Sequence, residues 1–136
     1  MRRNEPITTV MTAGPTAVQV GQPITEVARL MMGGSFHHVP VLDGQRLVGI
    51  LSATDLMRVS FSLDGSAAET VLDHTVVLRD VMHAEPRTLQ SSQTIRDAVE
   101  ILAEGRFHSL PVVDGVGNLV GIVTTTDLLR YLRDQY

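Results

Sequence analysis

Leu47-Val48-Gly49-Ile50-Leu51-Ser52-Ala53-Thr54-Asp55-Leu56 returns 72 residues later as Leu119-Val120-Gly121-Ile122-Val123-Thr124-Thr125-Thr126-Asp127-Leu128. Each version is a short apolar run broken by one glycine, which reads as a strand. A hydroxyl residue follows, and three positions on an aspartate, which reads as the start of a helix. Working outward, residues 38–42 and 109–113 form a second pair of apolar runs, set apart from the first pair by Asp43-Gly44 and Asp114-Gly115. Two such runs around Asp-Gly predict a hairpin. Further upstream, Ile24, Val27, Ala28 and Met31 fall at i, i+3, i+4 and i+7, and Ile95, Ala98, Val99 and Leu102 repeat the pattern. One apolar helix face therefore precedes each hairpin. Pro23 suits the first turn of the first of these helices and Ser92 is the expected N-cap of the second. Gly33-Gly34 and Gly105 are expected to end them in the left-handed cap conformation.

The correspondence extends almost end to end. Val10-Met11, Ala13, Pro15, Gln19, Gln22 and Ile24 recur 71 residues on as Val81-Met82, Ala84, Pro86, Gln90, Gln93 and Ile95. Gly34, Phe36, His37, Pro40, Val41, Asp43 and Gly44 recur as Gly105, Phe107, His108, Pro111, Val112, Asp114 and Gly115, and one inserted residue near Val116-Gly117 moves the shift to 72. This is a duplicated unit. The expected division is a first repeat at 1–61, a linker at 62–75 and a second repeat at 76–136. A lone repeat of about sixty residues buries too little surface to be secure, so the two are expected to pack sheet to sheet about a pseudo-twofold axis. The second helix of each repeat starts near Thr54 or Thr126. Its apolar residues (Leu56, Met57, Val59 and Phe61; Leu128, Leu129, Tyr131 and Leu132) make a stripe wider than one core contact needs. That surplus suggests a symmetric contact with another chain, although a broad internal interface explains it as well.

Composition narrows the function classes. The chain has 136 residues, 43% of them hydrophobic, with no Trp and no Cys, so Val, Leu, Ile, Met and Ala must fill the core. Thiolate metal sites, disulfides and cysteine nucleophiles are excluded. The net charge is −4, with 11 basic against 15 acidic residues and no basic run, which argues against a general nucleic-acid binder. Met1-Arg2-Arg3 opens like a leader, but Asn4-Glu5-Pro6 follows where an apolar segment is needed, and no window is apolar enough for a membrane span. The expectation is a soluble, cytoplasmic protein. Nothing specifies a poised acid, base and orienting group, and HExxH, GxSxG and P-loop patterns do not occur. No enzymatic activity is expected. His37-His38 does not chelate well, because neighbours on an extended segment point to opposite faces, so no metal is expected either.

On Val10-Met11-Thr12, Phe36-His37-His38-Val39-Pro40-Val41, the Leu47–Leu56 segment quoted above and their second copies, the sequence resembles a tandem pair of CBS (cystathionine β-synthase) domains, a Bateman module. The resemblance spans about Ile7 to Leu132. It implies an α/β (α+β) fold of two β-α-β-β-α repeats paired through their sheets, frequent dimerisation into a flat disc, and clefts between the repeats that bind adenosine-containing ligands. The family's usual role is to sense a nucleotide and regulate an attached or separate partner. With no room for an attached effector, the partner is expected to be another chain, and a homodimer is expected.

Each candidate residue has a structural and a functional reading. Ser52-x-x-Asp55 and Thr124-x-x-Asp127 are capping boxes on one reading. On the other, which the resemblance favours, the carboxylate accepts both hydroxyls of a ribose and the Ser or Thr hydroxyl reaches ribose or phosphate. Gly49 and Gly121 are then expected to let the ligand approach the backbone. His37 and His108 are polar residues at a strand mouth or phosphate donors. A nucleotide-sensing member of the family carries basic residues there that contact phosphates. His38 and Arg106 are weaker candidates of the same kind, and Ser109 standing where His38 stands implies unequal clefts. Val39, Ile50, Leu110 and Ile122 are core residues or the walls of an adenine slot, with Pro40 and Pro111 in the same strands. Thr16 and Arg87 precede the first strand of each repeat, with Ala17 and Thr88 beside them, and Arg87 either adds phosphate affinity to one cleft or blocks it.

The leading expectation is a regulatory module binding AMP, ADP or ATP, with no resident cofactor. The alternatives are a binder of S-adenosylmethionine or a dinucleotide, and a ligand-free dimerisation module. Two histidines add nothing for a sulfonium cation, which favours phosphates.

Overall fold

The computed structural model describes residues 4–34, 37–59 and 73–136. Phe36, Phe61 and most of the expected linker lie outside them. The elements in chain order are a 3-10 turn (Ile7–Thr9), β1 (Thr12–Ala13), β2 (Val18–Gln19), α1 (Ile24–Gly33), β3 (His38–Asp43), β4 (Arg46–Ser52) and α2 (Ala53–Met57). After the linker come α3 (Leu78–Val81), β5 (His83–Ala84), β6 (Leu89–Gln90), α4 (Ile95–Leu102), β7 (Ser109–Val113), β8 (Leu119–Thr124) and α5 (Thr125–Asp134). They build two four-stranded sheets, in the orders β2-β3-β4-β5 and β1-β8-β7-β6, as the α/β expectation requires.

The chain divides into two compact units, and neither is a continuous repeat. The first is Thr16–Pro86; the second joins Met1–Pro15 to Arg87–Tyr136. In the first unit β2 runs parallel to β3 with Val18 opposite Val41, β3 and β4 form the hairpin, and β5 closes the edge antiparallel to β4 with Ala84 opposite Gly49. Val18, Ile24, Val27, Ala28, Met31, Val39, Val41, Leu51, Leu56 and Leu78 form its core. In the second unit β6 pairs parallel with β7, β7 with β8, and β1 closes the edge with Ala13 opposite Gly121. Its core is Ile7, Leu89, Ile95, Ala98, Leu102, Leu110, Val112 and Val123. Each lead-in therefore completes the sheet and core of the other repeat: Ile7 sits fully buried beside Leu89 and Ile95, and Leu78 fully buried in the first unit. Backbone bonds fasten the first crossing, Ile7 donating to Gln93 at 3.0 Å and Ile95 donating to Glu5 at 2.8 Å.

The repeated glycines serve this crossing rather than a ligand's approach. A Cβ on Gly49 would stand 2.5 Å from Met82 Sδ and 3.1 Å from the His83 carbonyl oxygen. On Gly121 it would stand 3.0 Å from both Met11 Cγ and the Thr12 carbonyl oxygen. Val-Met and the strand glycine recur together because the methionine of one repeat fills the space left at the glycine of the other.

The helix starts differ from expectation. Thr94, not Ser92, caps α4: its hydroxyl accepts from the Asp97 amide at 3.2 Å, and Asp97 Oδ2 accepts from the Thr94 amide at 2.9 Å. Thr94 abuts the first helical residue with an acid at the third position, whereas Ser92 lies in the preceding turn. Pro23 is the N-cap residue of α1 and supplies no side-chain bond. Asp73 does so from 48 residues away, its carboxylate accepting from the Thr25 amide at 3.0 Å and the Thr25 hydroxyl at 2.8 and 2.9 Å. At the other ends Gly105 is left-handed (φ +80°) as expected, but Gly34 is extended (φ −115°), so α1 stops without that cap. The hairpin loops also differ. Two residues join β3 to β4. The longer loop between β7 and β8 is organised by Asp114, whose carboxylate accepts from the Val116 and Asn118 amides at 3.0 Å each. Those two donors hold the Asp114 carboxyl below its ordinary value.

Candidate functional site

Parallel pairing of β2 with β3 and of β6 with β7 puts the starts of both strands at the same end of the sheet, where the antiparallel third strand finishes. In the first unit this end gathers Thr16 and Ala17 before β2, His37 before β3, Ser52 at the end of β4 and Asp55 in the first turn of α2. The matching end of the second unit gathers Arg87 and Thr88 before β6, Arg106 and His108 before β7, Thr124 at the end of β8 and Asp127 in the first turn of α5. One bond repeats at both places: the Ala53 amide donates to the His37 carbonyl at 2.9 Å, and the Thr125 amide to the His108 carbonyl at 3.0 Å. Each histidine backbone is thus tied to the helix start that carries the aspartate.

Both hydroxyl–aspartate pairs form complete capping boxes. Ser52 Oγ accepts from the Asp55 amide at 3.0 Å while Asp55 Oδ2 accepts from the Ser52 amide at 2.9 Å. Thr124 Oγ1 accepts from the Asp127 amide at 3.0 Å and Asp127 Oδ2 accepts from the Thr124 amide at 2.8 Å. The structural reading of these motifs is therefore realised, and it uses half of each carboxylate. Asp55 Oδ1 has no partner among the described residues. Asp127 Oδ1 has only the Arg130 guanidinium at 4.0 Å, with the aspartate side chain 16% exposed. Each serine or threonine hydroxyl, having accepted one bond, still has a proton to donate. A carboxylate oxygen and a hydroxyl proton, fixed by a helix start, are left to bind a diol or a phosphate.

The apolar candidates separate by the alternation of the strands. Val39 and Leu110 have no exposed surface and belong to the two cores, so they are not available as walls of an adenine slot. Pro40 pairs with Ile50 and Pro111 with Ile122 on the opposite face of each sheet, where both isoleucines are half-buried. His37, His108, Thr16, Arg87 and Arg106 are exposed. Among the described residues no cluster of three or more His, Asp or Glu could hold a metal ion. No described helix is long and apolar enough to cross a membrane. Arg130, three residues after Asp127 on α5, was not singled out by the sequence reading, although Arg58 repeats it after Asp55 and a recurring cation at i+3 is a legible signal.

The sheet ends lie within a recognisable family. The CBS domain matches residues 7–62 and again 78–134, and the chain belongs to the CBS-domain family. The structure of CBSX2 from Arabidopsis thaliana in complex with AMP is similar over 97% of this chain and 99% of that one, at 26% identity and a TM-score of 0.80. The uncharacterized protein MJ1225 of Methanocaldococcus jannaschii is 28% identical over 132 residues, which is 94% of this chain and 47% of that protein. An inosine-5'-monophosphate dehydrogenase of Korarchaeum cryptofilum is 32% identical over 105 residues, 77% of this chain and 20% of the enzyme. The chain thus spans about half of one such relative and a fifth of the other.

Proposed function

We propose that this chain is a regulatory module that binds AMP, ADP or ATP at its sheet ends and signals occupancy to a separate partner protein. The observation carrying this is the half-used carboxylate: in both repeats an aspartate gives Oδ2 to its own helix start and leaves Oδ1 outside the capping box, on a helix start whose backbone is bonded to that of an exposed histidine. Asp55 and Asp127 are assigned to the ribose, Ser52 and Thr124 to ribose or phosphate, and His37 and His108 to phosphate. Ile50 and Ile122, half-buried beside the buried Pro40 and Pro111, offer the apolar surface for the base. The AMP complex of CBSX2 supports the same ligand class. Signalling requires that the ligand bind two conformations unequally, so occupancy shifts the balance that the partner reads.

Self-association belongs to this reading. An apolar groove of about 330 Å³ runs between α4 and α5, lined by Val99, Leu128, Leu129 and Leu132 among others. A similar one of about 320 Å³ lies between α1 and α2, with Met32 and Met57 at its surface. Leu129 is 59% exposed and Met57 83%. Residues of this kind at matching helix pairs favour a homodimer, which sedimentation velocity will detect.

Calorimetry of nucleotide-free protein against AMP, ADP, ATP and S-adenosylmethionine tests the ligand. Asp127→Ala should weaken nucleotide binding at the second unit by about 1.5–3 kcal/mol, the worth of a hydrogen bond to a charged group. Asp97→Ala, which removes an equivalent capping box from α4, should lower stability and leave affinity unchanged. Absence of heat with every nucleotide at millimolar concentration sinks the proposal.

A further inference from the structure

The recurring Val-Met pair sets one thioether on a strand glycine in each unit. Met82 lies over Gly49 in the first and Met11 over Gly121 in the second. A Cβ on Gly49 would meet Met82 Sδ at 2.5 Å and Cε at 3.0 Å; on Gly121 it would meet Met11 Sδ and, at 3.0 Å, Met11 Cγ. In both places the sulfur rests directly on the strand. Both methionines pack against the cores, yet both are only half-buried, so solvent reaches them. Each is followed at once by a two-residue edge strand, β1 after Met11 and β5 after Met82, paired on one side only. So short a ladder leaves much of the strand's hold on the sheet to the side chain before it.

The chain has six methionines and no cysteine, so its sulfur redox chemistry can only be methionine's. Hydrogen peroxide converts a thioether to a sulfoxide. The sulfur lone pair attacks one peroxide oxygen, the S–O bond forms as the O–O bond breaks, and the other oxygen leaves as water. Sulfur gives up two electrons and the peroxide takes them. The product is polar and chiral, and methionine sulfoxide reductases return it to the thioether with a thiol as reductant. Over the glycines the new oxygen meets the wrong neighbours: the Thr12 and His83 carbonyl oxygens border the same space, 3.0 and 3.1 Å from the two Cβ positions. Acceptor facing acceptor makes no hydrogen bond, and an unpaired polar group is unfavourable there. The oxidised side chain turns out to water and leaves the glycine uncovered. Other methionines behave differently. Met32 and Met57, 68% and 83% exposed, carry their sulfur on helix surfaces already in water, and Met31, 5% exposed, is shielded.

We infer that Met11 and Met82 are sites of reversible oxidation, and that their sulfoxides release β1 and β5 from the sheet edges. The strands they leave are β8 and β4, which end at Thr124 and Ser52, so oxidation reaches both strands that carry a capping hydroxyl without altering a candidate site residue. The inference is independent of the adenosine-ligand reading and holds whatever the sheet ends bind.

Graded treatment of the full chain with hydrogen peroxide tests this, with oxygen gain at each methionine read by peptide mass spectrometry and strand opening by amide hydrogen exchange. Met32 and Met57 should oxidise first, Met11 and Met82 next and Met31 last. Exchange should quicken about tenfold to hundredfold in β1 and β8 as Met11 gains oxygen, and in β5 and β4 as Met82 does. Methionine sulfoxide reductases of both epimer specificities, with dithiothreitol, should restore the protection. Met11→Leu with Met82→Leu, close in volume and without sulfur, should keep these strands protected under the same treatment while Met32 and Met57 still oxidise. Should the leucines themselves loosen the strands, the wild-type series of oxidation and enzymatic reduction decides alone. Met11 and Met82 gaining oxygen with the four strands unchanged overturns the inference. So does equal quickening in the leucine variant, or resistance of both residues until Met31 is oxidised.

Discussion

Glu85 holds a backbone conformation that its side chain does not favour. Its φ is +50°, and Gly14, the residue at the same place in the other repeat, has φ +56°. Both end an edge strand and turn the chain into the next. For an L-residue the left-handed region costs roughly 1–2 kcal/mol, of which glycine's extra freedom in the unfolded chain takes back about 0.5–1. Glu85→Gly should therefore raise stability by about 0.5–1 kcal/mol, read as a higher urea midpoint at unchanged slope. A lower midpoint would mean that the glutamate makes an interaction worth more than its strain. Glutamate is no left-handed signal on its own, and only the alignment with Gly14 betrays the turn. The capping aspartates are the opposite case: Ser52-x-x-Asp55 and Thr124-x-x-Asp127 declare themselves by spacing, because both bonds of the box are local. Local chemistry left open the fate of the second carboxylate oxygen, on which the binding proposal turns.

At the scale of the element, periodicity announced α1 and α4, but the reading took Ser92 for the cap of α4 and found none of the side-chain bonds that start α1. Thr94 and Asp97 close a box within four residues of chain. Asp73 reaches α1 across 48 residues, so no local pattern links it to Thr25. Thr25 is 2% exposed, and the Asp73 carboxylate satisfies both its amide and its hydroxyl. Asp73→Ala should cost about 1–3 kcal/mol, the range for leaving buried donors unpaired, and should show first as faster amide exchange in the opening turn of α1. Unchanged exchange there, with stability held, would mean that another group takes over the cap. The same contact makes residue 73 part of the first unit's structure, although it falls within the segment expected as linker. Of the apolar stripe expected on the second helix of each repeat, Met57 and Leu129 are exposed, whereas Leu56 is buried in the first core, Val59 packs against it and α2 ends at Met57.

Across the whole chain, duplication was plain and connectivity was not. A repeat read along the sequence invites a cut at the linker, which assigns Ile7, Val10 and Met11 to the first repeat. They lie instead in or against the core of the second unit, Ile7 fully buried and Met11 over Gly121. The clue was the joint recurrence of Val-Met and a strand glycine, but period alone does not say whether a motif packs on its own copy or on the other. The physical consequence is that each unit borrows part of its core from chain that precedes the opposite repeat. Ile7→Ala removes a side chain with no exposed surface, and large-to-small substitutions of this kind cost about 2–5 kcal/mol. That loss should fall on the second unit. Hydrogen exchange should accelerate in α4, β6, β7 and β8 while β2, β3 and β4, nearer to Ile7 along the chain, keep their protection. Faster exchange in β2–β4 with α4 and β6–β8 unchanged would place Ile7 with its own repeat and undo the crossing. If the crossing holds, a change at one lead-in is felt at the sheet whose far end carries the other repeat's aspartate, histidine and arginines. Each unit's stability therefore depends on chain that precedes the opposite repeat, and a substitution there acts on one unit at a time.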